Sequence, residues 1–218
     1  MATADRFMNA TDRPTDELID RMRSGDTDAL AEVFSQCQDR LRRIIRFRLD
    51  YRIAGRISDS DVLQESYLAA AKRLQHFAAD SEMDPFLWLR LITSQKLVDL
   101  HRQHVAAERR DVRREISIAD QPMSAATSVA IAAHLIGGDP TASKLLEQAE
   151  RINRLEQTLN EMDATDREVI ALRHFEELSN VETAAVLGIE PPAASKRYVR
   201  AMRRLSELMA SLQPSQSE

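Results

Sequence analysis

The sequence predicts an all-α protein with two small helical domains that a linker joins, and three observations support this prediction. The 218 residues include only five glycines and seven prolines, and they are rich in residues that favour helices. Apolar residues recur at spacings of three and four in both halves of the chain, as on the buried face of a helix. Between the halves, the pattern weakens and residues typical of linkers become frequent, so we place a linker at residues 116–150.

Helix-capping residues divide the first predicted domain, residues 15–115, into four helices. Ser, Thr and Asp side chains accept hydrogen bonds from the amide groups that the first turn of a helix leaves unpaired. The fourth helix has the clearest start, because Asp84 is followed by Pro85. Four helices that share one core make a self-sufficient bundle. The expected caps are Thr15, Asp26, Ser58 or Asp59, and Asp84.

The most specific segment lies in the second predicted domain, residues 151–212. Ser179 and Glu182 have the spacing of a capping box and begin a two-turn helix. Gly188 then supplies the left-handed conformation of a sharp turn, and Pro191 stands in the first turn of a longer helix. This order of residues is typical of a helix-turn-helix.

The longer helix has an apolar face and a basic face. At about 100° per residue, Lys196, Arg200 and Arg203 lie roughly opposite the apolar face. Such a helix fits the major groove of DNA, where Lys and Arg contact guanine edges and phosphates. The alternative is a surface helix whose arginines only confer solubility; we favour DNA binding because a capped short helix and a turn glycine precede it. The apolar face consists of Tyr198, Met202, Leu205, Met209 and Leu212.

Charge is distributed unevenly, although the formal net charge is -5. The local field, more than the sum, decides whether a surface attracts phosphate. Seven arginines lie within residues 38–57, whereas acidic residues concentrate at 16–32 and 147–168. The arginine run is compatible with a solvated helix face and with a phosphate-binding surface, and the sequence does not decide between them.

No catalytic set of residues accompanies these helices. The single cysteine, Cys37, follows an apolar stripe and is interpreted as a small buried residue in a reducing compartment. His101, His104 and Glu108 share a helix face, but a fourth ligand and a general base are missing, so we expect no metal site. A phosphate-binding glycine loop, a signal peptide and a membrane-length apolar stretch are absent as well. We therefore expect a non-enzymatic, cytoplasmic protein with no cofactor and no membrane anchor.

Across about residues 25–115 and 150–210, the sequence resembles the extracytoplasmic-function group of bacterial sigma factors. The segment MDATDREVIALRHFEELSNVETAAVLGI is similar to the family's fourth region in length, apolar pattern and turn glycine. The segment SDSDVLQESYLAAAKRL resembles the family's acidic DxVQE segment. The resemblance implies a promoter-melting bundle and a helix-turn-helix domain that bind core RNA polymerase and promoter DNA and initiate transcription. It leaves open an anti-sigma factor as a further partner.

The resemblance also assigns three sets of contact residues. The first docks on the clamp helices of the largest polymerase subunit. The second lies in and after the loop from His76 to Asp84, which receives an extruded base while nearby residues hold the strand's backbone. The third faces the minus-thirty-five bases. Trp88, in the first domain, belongs to none of these sets and is expected in the core. The polymerase set is Asp61, Leu63, Gln64, Glu65 and Leu68; the melted-strand set is His76, Phe77, Asp84, Lys96 and Arg102; the upstream-duplex set is Ser195, Lys196, Val199 and Arg200, to which we add Arg197 and Arg203 of the same helix.

Two other functions remain open at this point. A helix-turn-helix regulator that binds duplex DNA as a dimer, without polymerase, accounts for the second domain but leaves the acidic docking segment unexplained. A pure interaction module, such as a sequestering partner, predicts no DNA binding at all. Affinity for core polymerase distinguishes a sigma factor from both.

Overall fold

The computed structural model describes residues 14–49, 57–79, 83–109, 122–137 and 145–212. Within these ranges all regular secondary structure is helical. The chain divides into two compact units between residues 117 and 118. The prediction of an all-α, two-domain fold is therefore confirmed.

In its described residues, the first unit is a bundle of four helices. α2 packs against α1, α3 and α4, and α3 packs against α4. The expected caps form: Thr15 accepts a hydrogen bond from the Leu18 amide at 3.3 Å, and Asp84 accepts one from the Phe86 amide at 2.9 Å. The helices are α1 (Asp16–Arg23), α2 (Thr27–Arg48), α3 (Asp59–Ala79) and α4 (Pro85–Arg109). The centre of the bundle includes Met22, Leu30, Leu41, Ile44, Ile45, Phe77 and Leu89.

Several arginines of α2 pack against the bundle. Asp59, at the start of α3, lies 2.8 Å from Arg46 Nε and 3.2 Å from Arg42 Nη1. The hydrogen bond from Arg46 is the main reason why the pKa of Asp59 lies below its usual range. The guanidinium of Arg40 lies 3.4 Å from the centroid of the Phe86 ring, which is a cation–π contact. These three arginines join α2 to α3 and α4, so structural contacts account for part of the basic run.

In the described part of the second unit, three helices precede the helix-turn-helix. α5 packs against α6 and α7, while α7 and α8 pack against α9. The helices are α5 (Pro122–Ile136), α6 (Leu145–Leu159), α7 (Ala164–Ile170), α8 (Asn180–Leu187) and α9 (Pro191–Leu212), and a π-helical turn (Ala171–Phe175) follows α7.

The predicted linker, residues 116–150, differs from its expected structure where the structure describes it. It contains α5, whose Ile131 is fully buried within the second unit. Thr127 Oγ1 donates to Glu168 Oε2 at 3.0 Å, and Ser128 Oγ donates to Asn160 Oδ1 at 2.8 Å. Because small residues line this helix, it packs closely without the alternation of large apolar and charged residues on which the prediction relied.

Candidate nucleic-acid interface

α8, α9 and the turn between them form the predicted helix-turn-helix. The capping box is complete: the Glu182 amide donates to Ser179 Oγ at 3.2 Å, and the Ser179 amide donates to Glu182 Oε2 at 2.8 Å. Gly188 adopts φ 63°, the left-handed conformation that turns the chain toward α9. Asn180 Nδ2 donates to the Pro191 carbonyl at 2.7 Å, so a side chain of α8 also holds the first turn of α9.

The buried face of α9 consists of small residues as well as large ones. Leu205 is buried as predicted, and Tyr198 and Met202 are partly buried. Ala194 and Ala201 are fully buried and were missing from the predicted stripe. Their spacings to Tyr198 and Leu205 are those of one helix face, so the direction of the stripe was right. The short side chains let the backbone of α9 approach its neighbours closely.

The opposite face of α9 is exposed and basic. Val199 stands on it with 66% of its surface accessible, a large value for an apolar residue. Arg203 makes a long contact, 3.7 Å between its Nε and Glu207 Oε1. A row of cations with an apolar side chain among them matches the edge of a DNA major groove, which carries phosphates, guanine acceptors and thymine methyl groups. The exposed members of the predicted upstream set are Ser195, Lys196, Val199, Arg200 and Arg203.

Arg197 departs from its predicted role as a DNA contact. Its side chain is partly buried, and Nη1 donates to Asp166 Oδ1 at 2.8 Å and to Asp163 Oδ1 at 3.3 Å. The helical position contains the signal that the prediction missed, since Arg197 lies about 60° from the buried Ala194 and about 40° from the buried Ala201 around the helix. The guanidinium therefore points to the start of α7.

Four of the five predicted polymerase contacts share one exposed face of α3. Asp61, Gln64, Glu65 and Leu68 are exposed and follow one another at helical spacing. The prediction that Leu63 contacts polymerase is wrong, because Leu63 is only 4% exposed and packs in the bundle core. It supports α3 from inside and offers no surface to a partner.

Asp61 also closes the N-terminus of α3. Its Oδ2 accepts hydrogen bonds from Ser58 Oγ at 2.8 Å and from the Ser58 amide at 3.1 Å. In return, the Asp61 amide donates to Ser58 Oγ at 3.1 Å. The hydroxyl hydrogen bond, followed by the amide one, lowers the pKa of Asp61. This carboxylate therefore stays ionised on the exposed face.

The predicted melted-strand residues divide into exposed and structural ones. His76 and Arg102 are exposed. Phe77 is 1% exposed and packs against Trp88, with 4.9 Å between ring centroids, so it belongs to the core and not to a strand contact. Asp84 caps α4. The expected core position of Trp88 is confirmed, and His76 lies in the last turns of α3 instead of in a loop.

Lys96 connects the two candidate surfaces of the first unit. Its Nζ lies 3.5 Å from Glu65 Oε2, so a residue of the melted-strand set pairs with a residue of the polymerase set. Nearby, Arg73 Nη1 donates to Gln95 Oε1 at 2.5 Å. These polar contacts join the exposed edges of α3 and α4.

Other candidate chemistry finds no support among the described residues. Cys37 is 1% exposed, which confirms its interpretation as a small buried residue. The described ranges contain no group of three or more His, Cys, Asp or Glu side chains able to hold a metal ion. The side chains of His104 and Glu108 lie outside those described. No helix in the described part of the chain has the length and apolarity needed to cross a membrane.

The profile of a known family covers both units. The family described as ECF sigma factor matches residues 13–210. The chain belongs to the ECF sigma factor family. This ECF sigma factor therefore acts with RNA polymerase in the initiation of transcription. Its relatives are non-catalytic regulators of transcription.

Individual proteins similar to this chain are sigma factors as well. The chain is 33% identical over 150 residues to the RNA polymerase sigma factor CnrH of Cupriavidus metallidurans, covering 68% of this chain and 72% of CnrH. It is 29% identical over 157 residues to the sigma factor NccH of Alcaligenes xylosoxydans xylosoxydans, covering 70% of this chain and 74% of NccH. The structure of CnrH in complex with the cytosolic domain of CnrY has a similar fold, with TM-score 0.50, 24% identity, and coverage of 94% of this chain and 100% of that one.

Proposed function

We propose that this ECF sigma factor docks on core RNA polymerase through α3, recognises upstream promoter duplex through α9 and captures the melted strand beside α4. The observation that supports the proposal most is the outward face of α9, where exposed cations lie on the second helix of a complete helix-turn-helix. In this proposal the promoter-melting domain spans residues 15–115. The DNA-binding domain includes residues 151–212, and α5 packs with it.

Recognition of the duplex would combine polar contacts from α9 with one apolar contact. Lys196, Arg200 and Arg203 can contact phosphates and guanine acceptors, and Ser195 can hydrogen-bond to a base or a phosphate. Val199 offers an apolar contact to the methyl group of thymine, because its side chain stands free among the cations. Since phosphate contacts release counterions, binding should weaken as salt rises.

Polymerase docking would use the exposed face of α3. Asp61, Gln64, Glu65 and Leu68 combine two carboxylates, an amide and an apolar side chain, which suits a basic helical partner. Leu68 is 45% exposed and supplies the apolar part of the contact. Asp61 is ionised at physiological pH like any exposed aspartate, and the hydrogen bonds from Ser58, which lower its pKa, also orient the carboxylate.

Melted DNA would bind along the adjacent edge of α4. Lys96 and Arg102 supply cations for the backbone of a single strand, and His76 adds an exposed ring. Phe77 and Asp84 act indirectly, since one packs against Trp88 of α4 and the other caps α4. The proposal places this protein in the cytoplasm, where core polymerase and promoter DNA are its partners and an anti-sigma factor would control its availability.

Reconstitution with core polymerase tests the proposal. The purified chain is mixed with bacterial core enzyme that lacks a sigma factor, and gel filtration measures whether they co-elute. The complex is then given a pool of templates with random upstream sequences, and the transcripts are sequenced. We expect a stable complex and enrichment of particular upstream sequences. Duplex binding without affinity for polymerase would instead favour the regulator, and absence of both activities would favour an interaction module.

A further inference from the structure

Arg197 differs from the other arginines of α9 in what it touches. Its side chain is 31% exposed, and that of its partner Asp166 is 18% exposed. The two hydrogen bonds to Asp166 and Asp163 use the same Nη1 atom, at 2.8 and 3.3 Å. Arg203, by comparison, is 76% exposed. Arg197 is therefore held between α9 and α7, whereas Arg203 extends into solvent.

The acceptors of Arg197 are themselves fixed in place. Asp163 caps α7, because its Oδ1 accepts hydrogen bonds from the amides of Thr165 and Asp166 at 2.9 and 3.3 Å. Burial raises the pKa of Asp163. Hydrogen bonds from these two amides and from the Thr165 hydroxyl, together with the charge of Arg197, lower it by more, so the pKa lies below its usual range. The carboxylate thus remains charged and oriented toward α9.

The start of α7 is also tied to the helix before it. The buried Arg167 donates from Nη1 to the carbonyl oxygens of Leu159, at 3.0 Å, and Met162. A cation at the C-terminus of α6 satisfies carbonyl groups that the helix leaves unpaired. The two aspartates that accept from Arg197 therefore lie at a helix start that is hydrogen-bonded to the end of α6.

We propose that Arg197 is a positioning residue for DNA recognition: its contacts with Asp163 and Asp166 fix the rotation of α9 about its own axis. The inference rests on the proposed function, since it assumes that α9 binds duplex DNA. A rotation of α9 would move Lys196 and Arg200 together, because they flank Arg197 on the helix. These contacts of Arg197 with Asp163 and Asp166, called the clamp below, keep Lys196, Val199 and Arg200 directed at the same groove. The clamp itself makes no DNA contact.

The proposal predicts an effect opposite in sign to that of simple electrostatics. Changing Asp166 to Asn removes a negative charge from a DNA-binding unit, which by charge alone should tighten binding. If the clamp sets the helix orientation, D166N should instead weaken binding to the preferred sequence. R197A should also weaken binding, but it removes a positive charge and charge alone predicts the same sign, so D166N is the variant that separates the two explanations.

The dependence on salt separates a clamp from a phosphate contact. Each phosphate contact contributes about 0.9 to the slope of the logarithm of the binding constant against the logarithm of salt concentration. R197A should leave this slope unchanged, whereas R200A, on the outward face, should lower it by up to about 1 if Arg200 contacts a phosphate. R197K keeps the charge but loses the planar fork of donors, so we expect intermediate discrimination between sequences.

The experiment measures fluorescence anisotropy of the full chain with two duplexes, one selected from the promoter pool and one scrambled, over a series of KCl concentrations. We expect R197A and D166N to lower the ratio of the two binding constants about tenfold, which is one good base contact, with the wild-type salt slope. Circular dichroism and urea unfolding of every variant confirm that α9 remains folded, and R197K provides the mildest change.

Two results would overturn the clamp: a salt slope lowered by about 1 in R197A with discrimination intact, or D166N binding the selected duplex as tightly as wild type. The wild-type protein separates this inference from the proposed function. Wild-type protein that binds both duplexes equally would overturn duplex recognition by α9, and the clamp with it. A discriminating wild type leaves recognition standing, and the variants then decide the clamp alone.

Discussion

At the scale of single residues, two arginines of the second unit provide a matched test. Arg200 lies on the outward face of α9, and Arg154 lies on α6, 73% exposed and 3.8 Å from Glu150. R200A should weaken binding to upstream duplex by about 1–3 kcal/mol, the usual value of a good base contact. R154A removes the same charge and should have little effect. Anisotropy with the selected duplex measures both, and affinity for core polymerase should be unchanged in each.

Two leucines on α3 have different roles, since one supports the core of the bundle and the other is proposed to contact polymerase. Leu63 is 4% exposed and Leu68 is 45% exposed, although both were predicted to touch polymerase. L63A should lower the free energy of unfolding of the first unit by about 2–5 kcal/mol, because it leaves a cavity. L68A should change that stability little and weaken polymerase binding. Urea unfolding and co-elution with core enzyme measure the two effects, and equal loss of stability would contradict the assignment.

The sequence did not predict which of the matched side chains face the core. A motif match places Leu63 and Phe77 in order along the chain, but it does not say which side of a helix faces the core. That depends on packing between elements, such as the 4.9 Å contact of Phe77 with Trp88. For Arg197 the helical position already indicated a place beside the buried face, but its acceptors could not be identified, since they lie 31 and 34 residues earlier in the sequence.

At the scale of elements, α5 offers the next test. Ile131 is fully buried in the second unit, while Leu135 on the same helix is 37% exposed. I131A should destabilise the second unit by about 2–5 kcal/mol. L135A should cost much less, because its side chain already meets solvent. Urea unfolding followed by a probe in the second unit measures the difference; two equal, negligible effects would indicate that α5 contributes nothing to that unit.

Local chemistry explains which elements the sequence predicted well. The helix-turn-helix depends on contacts within three residues, such as the capping box of Ser179 and Glu182, and on the backbone freedom of Gly188. Such signals are readable from the chain itself. The helix α5 depends on Glu168 and Asn160, which lie 41 and 32 residues from their partners. Its small residues gave no periodic signal, so the segment was interpreted as a linker.

At the scale of the whole molecule, acid should weaken the first unit. The hydrogen bond from Arg46 holds the pKa of Asp59 below its usual range, and Ser58 does the same for Asp61. A carboxyl whose pKa is depressed by folding stabilises the protein above its unfolded pKa, near 4, and this stability is lost as the pH falls through the folded value. The urea midpoint should therefore be nearly constant around neutral pH and fall below about pH 4.

The variant D59N isolates the contribution of this group to the acid response. It removes the carboxylate that pairs with Arg42 and Arg46, so the urea midpoint at pH 7 should be lower than in wild type. Its dependence on pH between 5 and 3 should be weaker, because one titrating group is missing. Parallel profiles for D59N and wild type would contradict the role given to Asp59.

The net charge of -5 remains compatible with a DNA-binding protein when charges are placed on elements. Some arginines of the chain are held in internal pairs, as Arg42 and Arg46 are with Asp59. The cations that stay exposed on α9 determine the local field at the proposed duplex surface. Composition therefore predicted the fold class but not the binding face, because a sum of charges contains no information about position.

The contact between Glu65 and Lys96 has a consequence for how the first unit is dissected by mutagenesis. With 3.5 Å between the carboxylate and the ammonium, each group alters the energy of the other in the free protein. Free energies from single replacements at these two positions will not be additive, even though one side chain is assigned to polymerase and the other to DNA. Each function will need to be assayed in the pair of single variants and in the double variant before an energy is assigned to either residue.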